Sequence, residues 1–163
     1  MKNKLSQFVR VAFVIFGIVM ISLGSAFAQG ESTGGGRLAG TWDAVVTLRN
    51  CANGDAIRSF NSIGTFMRGG TSIGSTAGIS QSLRTPEHGV WRHEAGDTYV
   101  FRFKSFGFDA GGNPTGWTIV THQLELDPDA DSYTSSGIAQ FFAPNGTQVG
   151  QGCSSAIGTR FEL

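Results

Sequence analysis

From Thr41 onward, apolar and polar side chains alternate in short runs broken by glycine, asparagine and proline, and no run keeps the three-to-four spacing of an amphipathic helix. Eight runs alternate well enough to predict strands, over residues 41–51, 56–67, 71–76, 90–94, 98–106, 117–126, 132–142 and 151–162. The gaps between them are short, as in Asn53-Gly54 and Ala95-Gly96-Asp97, where glycine accepts the positive φ of a tight hairpin. Successive hairpins make an antiparallel meander.

A meander of eight strands leaves two edges open to other chains unless its first and last strands pair. The cysteines bear on this directly. Cys51 ends the first run and Cys153 lies near the start of the last, and the sequence has no others. Setting them opposite one another in an antiparallel pair places Trp42 against Glu162, so two strands of equal length match end to end. The expectation is an all-β, eight-stranded, up-and-down barrel closed by strand 1 on strand 8 and by a Cys51–Cys153 disulfide.

A pairing of this kind needs an oxidising compartment, and the N-terminus supplies the route to one. Lys2, Lys4 and Arg10 precede an uncharged apolar run over 11–23, and Ser25-Ala26-Phe27-Ala28 offers the small residues that a signal peptidase reads. The run is short of the roughly 20 residues of a spanning helix. Residues 1–28 are therefore expected to be a cleaved signal peptide, 29–37 (QGESTGGGR) a flexible tail, and 38–163 the barrel. The protein is expected in the periplasm or outside the cell, with no membrane insertion after cleavage.

About 135 residues remain, enough for a single domain. Cleavage removes three basic residues and no acidic one, so twelve against twelve becomes nine basic against twelve acidic. One lysine, Lys104, survives in the mature chain. A balance of that kind carries no overall electrostatic footprint for nucleic acid or anionic lipid.

Gly40-Thr41-Trp42 at the start of strand 1, with Arg160 in the last strand, resembles the calycin signature, in which a lipocalin-like barrel packs an N-terminal Gly-x-Trp tryptophan beside a C-terminal arginine. With the cysteines opposed, Arg160 falls opposite Ala44 and on the face of Trp42, where cation–π contact and donors to floor carbonyls are implied. The late helix and the Thr-Asp-Tyr loop motif of lipocalins are missing. Leu38-Ala-Gly40-Thr-Trp42 also resembles the avidins, yet Ala44, Val46 and Leu48 stand where those proteins place polar biotin ligands. More widely, "TWDAVVTLRNC", "TFMRGGT", "HGVW" and "GCSSAIGTRF" resemble a family of small secreted bacterial proteins of unassigned function.

Alternation says what the barrel encloses. With Arg102 and Lys104 facing water, Tyr99, Phe101 and Phe103 face in; with Thr121, Gln123 and Glu125 outside, Val120, His122 and Leu124 are inside. Trp91 and His93 turn in likewise. A three-residue loop with a glycine bulge after strand 1 brings Phe60 and Phe66 inward. Tight turns collect at the Trp42 end and longer loops at the other, so the mouth is expected opposite Trp42, near Arg58, His88, Trp91 and Trp117. The candidate ligand-binding residues are Phe60, Trp91, Phe101, Phe103, Trp117 and His122; Trp42, Arg160, Cys51 and Cys153 are structural.

No catalytic residue is assigned. Gly70-Thr-Ser72-Ile-Gly74 fits the nucleophile-elbow pattern, but that motif needs a strand-turn-helix setting. His88, His93 and His122 lack metal-ligand spacing, and Asp127-Pro-Asp129-Ala-Asp131 lacks the sixth-position glycine and twelfth-position glutamate of a calcium loop. Neither metal nor cofactor is expected. An eight-stranded barrel is wide enough to be filled by its own side chains or to hold one small ligand. The functional expectation is a non-catalytic carrier whose partner is a small apolar or aromatic molecule. The alternatives are a barrel-type cyclase or isomerase using an inward histidine, and an interaction module with a filled core.

Overall fold

Each of the eight alternating runs is a strand, and each strand is hydrogen-bonded to its neighbours on both sides. The computed structural model describes residues 36–163; the expected leader and residues 29–35 of the expected tail lie outside them. The strands are β1 Gly40–Arg49, β2 Ala56–Met67, β3 Thr71–Thr76, β4 Glu87–Ala95, β5 Thr98–Phe108, β6 Pro114–Leu126, β7 Ser132–Phe142 and β8 Gln148–Arg160, with one 3₁₀ turn at Gln81–Leu83. Every strand pairs antiparallel with the next, and β8 returns to β1 in a closed barrel.

The closing seam differs from expectation by two residues. Trp42 pairs with Arg160 and Arg49 with Cys153, rather than Trp42 with Glu162. Cys51 has left the ladder and sits in the turn after β1, from which it reaches Cys153 with a Cα–Cα distance of 5.2 Å. Strand side chains repeat with period two, so a two-residue slip keeps every face as it was. Trp42 and Arg160 become direct neighbours.

The β1–β2 hairpin also departs from the expected three-residue loop. Asn50 N–H donates to Asp55 O at 2.9 Å and Gly54 N–H to Asn50 O at 2.8 Å, so the turn spans 51–54. The extra strand residue is Ile57, between the pairs Leu48–Arg58 and Arg49–Ala56. Phe60 then lies opposite Val46 and Phe66 opposite Gly40, on the interior face.

The end of the barrel near Trp42 is solid. Leu38, Trp42, Tyr99 and Leu124 are almost wholly buried, and Phe66, Trp91, Leu126 and Tyr133 pack against them. Trp42 donates its indole N–H to Leu38 O at 3.0 Å and meets Tyr133 edge-on at 5.1 Å. The Arg160 guanidinium lies 4.3 Å from the Trp42 ring centroid and donates to Arg37 O, Ala39 O and Ala130 O at 2.8, 3.2 and 2.8 Å. Gly40 has a reason to be glycine: its φ is +145°, and a Cβ there would stand 2.5 Å from the Arg160 Nη1. Arg37 reaches this floor as well: it pairs with Asp97 and donates to Pro128 O at 2.6 Å.

Two outcomes follow from the seam. Arg160→Ala removes three donors and the cation over Trp42, and is expected to cost about 1 to 3 kcal/mol in urea unfolding, with Arg160→Lys restoring little of it because one ammonium cannot serve three carbonyls. An unfolding midpoint unchanged in Arg160→Ala would refute the clasp. The disulfide spans a sequence separation of 102 and contributes about 4 to 5 kcal/mol in a chain-entropy treatment. Thiol labelling of the unfolded, non-reduced protein is expected to find no free cysteine, and reduction to lower stability by that order.

Candidate functional site

Above the solid floor the barrel is hollow. A cavity of about 480 Å³ opens at the end away from Trp42, where the turns 50–55, 77–86, 109–113 and 143–147 lie. Its walls carry Phe60, Phe66, Phe101 and Phe103 on one side and the small Ala139 and Ala156 on the other. Phe101 and Phe103 are stacked with centroids 6.3 Å apart and an interplanar angle of 10°. Phe66 meets Phe101 edge-on at 5.5 Å, which joins the cavity wall to the floor.

His122 is the polar group at the base of the wall. It is buried, 5.4 Å from Phe101 between ring centroids. Its Nδ1 lies 3.0 Å from Ser135 Oγ and its Nε2 2.8 Å from Ser154 Oγ. One nitrogen donates and the other accepts, while the hydroxyls rotate to suit, so both ring nitrogens are engaged. Gly137 makes the room: a Cβ there would stand 2.6 Å from the imidazole Cδ2 and 2.0 Å from Thr121 O. Burial pushes the imidazole pKa down to about 4, so the ring is neutral.

A second polar cluster lies nearer the mouth, and sequence reasoning missed it. Arg84 Nη2 is 2.9 Å from Glu87 Oε1, with side-chain exposures of 18% and 12%, and Arg84 Nε donates to Ser105 Oγ at 2.8 Å. All three residues line the cavity. Burial pushes the Glu87 pKa up, opposed by the Arg84 charge. Tyr133 is raised to about 12, by burial first and by the Glu87 charge second. Gly74, opposite Glu87 in the ladder, leaves space for the carboxylate, since a Cβ there would be 3.1 Å from Oε2. The loop holding Arg84 is tied to β5: Thr85 N–H donates to Phe106 O and Phe106 N–H to Thr85 Oγ, each at 3.0 Å.

Of the six residues expected to meet a ligand, the structure brings four to the cavity: Phe60, Phe101, Phe103 and His122. Trp91 is displaced to the floor. Strand β4 starts at Glu87 rather than at residue 90, which carries Trp91 deeper, where its indole N–H is shared between Met67 O and Thr71 O at 3.0 Å each. Trp117 is on the outer wall. The β6–β7 ladder runs unbroken from Trp117 to Leu126, so Trp117 shares the outward face of Thr121 and Gln123; there it stacks on Phe142 at 5.5 Å beneath the Lys104 ammonium at 4.3 Å. No tryptophan therefore lines the cavity.

The remaining motifs are structural. Ser72 of the Gly-x-Ser-x-Gly match is a residue of β3 and lines the cavity wall, with no strand-turn-helix elbow around it. In the Asp127–Asp131 turn, Asp127 accepts from Ser132 Oγ and Asp129 from Asp131 N–H, so these carboxylates serve the turn itself. His93 Nε2 lies 2.7 Å from Gly96 O at the closed end, away from the cavity, and His88 is exposed on the outer face of β4.

Neutral, buried His122 makes stability depend on pH. Its folded pKa, about 4, lies below the unfolded value near 6.5, so the unfolded chain takes up a proton first. The contribution is complete above pH 6.5 and is lost as pH falls toward 4, by about 3 kcal/mol in all. Glu87, with its pKa raised, acts with the opposite sign in the acid range. Urea unfolding at pH 7 and pH 4.5 is expected to differ less in His122→Gln than in the native protein; equal differences would mean that the imidazole is not held neutral.

No protein-family model matches the chain, and no curated protein matches it either.

Proposed function

We propose that this protein is an exported, non-catalytic carrier of a small apolar or aromatic molecule, held in the mouth half of a calycin-type barrel. The observation that carries this reading is the cavity itself: about 480 Å³, walled by phenylalanine, open at one end and closed by a packed floor at the other. That volume lies within the roughly 300 to 1,000 Å³ of small-molecule sites, which are apolar with a few placed polar groups. A disulfide and an apolar N-terminal segment with basic flank support export. The Trp42–Arg160 clasp supports the calycin resemblance.

The polar groups refine the ligand. An apolar body against Phe60, Phe101 and Phe103 leaves one end near Arg84, Glu87 and Ser105, which favours a molecule with a single polar terminus. A cyclase or isomerase using His122 is the weaker reading. Both imidazole nitrogens are taken by serines, and a base with a pKa near 4 has little driving force for proton abstraction near pH 7.

Titration with N-phenyl-1-naphthylamine, a neutral aromatic probe whose own emission rises in apolar surroundings, tests the reading without relying on tryptophan. Saturable one-site binding is expected, weakened at least roughly five-fold by Phe103→Ala, while Gln123→Ala on the outer face leaves it unchanged. Absence of binding, or equal binding by Phe103→Ala, would overturn the carrier reading in favour of an interaction module.

A further inference from the structure

A barrel standing in water gains nothing by exposing apolar side chains around its opening, yet this one does so repeatedly. Leu48, Ile57, Ile79, Phe106, Phe141 and Val149 are among its exposed large apolar residues. They come from the mouth ends of β1, β2, β5, β7 and β8 and from the 77–86 loop, so they encircle the opening. Four of them, Leu48, Ile79, Phe106 and Phe141, also line the cavity, so the apolar surface runs unbroken from the rim to the interior.

Ile57 and Val149 are the more telling pair, because neither lines the cavity. Each is the extra residue of a β-bulge, Ile57 between the Arg49–Ala56 and Leu48–Arg58 pairs and Val149 between Phe142–Gln148 and Phe141–Gly150. They are 68% and 65% exposed. A bulge re-aims a side chain. Here two bulges at the same end of the barrel put aliphatic groups into solvent, at positions where a polar residue would serve the fold equally well.

Charge is divided along the same axis. Among the described residues, the acidic side chains in the mouth half are Asp55, Glu87 and Asp109, offset by Arg49, Arg58, Arg84 and Lys104. The closed half holds eight acidic side chains, Asp97, Asp127, Asp129 and Asp131 of its turns among them, against five arginines, Arg37, Arg68, Arg92, Arg102 and Arg160. Arg37 pairs with Asp97 and Arg92 with Glu94. An excess of one positive charge at the mouth thus stands against an excess of three negative charges at the floor. An anionic surface would repel the floor and accept the mouth.

We propose that the rim is a docking surface for an anionic lipid bilayer, against which the barrel seats mouth-down so that an apolar molecule passes between acyl chains and cavity without crossing water. The proposal deepens the carrier reading and rests on it for its purpose, while its geometry stands on the rim alone. Peripheral binding of this kind combines shallow burial of apolar side chains with attraction to acidic headgroups. The floor and the strand walls stay in water.

Flotation with vesicles of equal parts phosphatidylcholine and phosphatidylglycerol tests this, using the chain as recovered after export with its N-terminus read by mass. The native protein is expected to float, and Ile57→Ser/Val149→Ser to float roughly five-fold less, since binding scales with the apolar area buried. Ile157→Ser, at a residue 64% exposed in the middle of β8, is expected to float as the native protein does. A tryptophan placed by Ile57→Trp is expected to shift to the blue on vesicles and to be quenched by brominated acyl chains. The proposal is overturned if the native protein stays in the aqueous layer, if Ile157→Ser loses as much as the rim variant, or if the native protein is a dimer that the rim substitutions dissociate. Binding of N-phenyl-1-naphthylamine by the rim variant separates the two readings. Probe binding without flotation removes the docking surface alone, and rim-dependent flotation without probe binding removes the carrier alone.

Discussion

Everything in this barrel depends on β8 returning to β1. An open sheet of eight strands would expose two rows of unpaired backbone groups along β1 and β8, strands of 10 and 13 residues. The seam is secured at both of its ends by different chemistry. At the closed end the Arg160 guanidinium lies over Trp42 and satisfies three carbonyls; at the mouth the Cys51–Cys153 disulfide joins the β1 turn to β8. Between them the eight ladder pairs from Trp42–Arg160 to Arg49–Cys153 run without a bulge. The register is therefore fixed by contacts that a sliding strand would have to break together.

Closure also explains why the interior is half filled. Large side chains from several strands converge on the floor, where Trp42, Tyr99, Leu124 and Tyr133 occupy the cross-section. Toward the mouth the inward positions of β1, β7 and β8 become Ala44, Ala139 and Ala156, while the phenylalanines of β2 and β5 stand against the opposite wall. Small residues facing large ones fill a core when they interdigitate, and leave a void when they sit at one level. Glycine at 74 and 137 extends that economy to the polar groups, giving room to Glu87 and His122.

Strand number, order, closure and most face assignments were legible in the sequence because they depend only on a period of two. Phe101, Phe103 and His122 needed nothing more, while Phe60 also needed a bulge, which the structure has at Ile57. The two misplaced tryptophans fail for different reasons. Trp91 has the right face but the wrong depth, since Glu87-His88-Gly89 reads as loop in isolation and joins β4 only because β3 and β5 offer it partners. Trp117, expected near the mouth, lies on the outer wall: its parity with Thr121 and Gln123 sends it out, and the unbroken β6 register holds it there beneath Lys104. The Arg84–Glu87 pair was invisible, because residues 77–89 show no periodicity and it is tertiary contacts, the bonds of Thr85 to Phe106 and the Arg84–Gly107 bridge among them, that bring the loop over the cavity.

That pair is also the least economical feature of the cavity. Removing two charges from water costs several kcal/mol per ion, and a buried pair regains this only when its geometry is good and its remaining donors are satisfied. Arg84 meets the condition through Ser105, yet a hydrophobic pair of similar volume would stabilise the barrel as well or better. His122 is the opposite case, a neutral ring saturated by two serines, which costs little at neutral pH and anchors three strands to one another. The two polar sites thus do different work in the same cavity: the deep one holds the wall together, and the shallow one presents charge where an apolar barrel has no structural need of it.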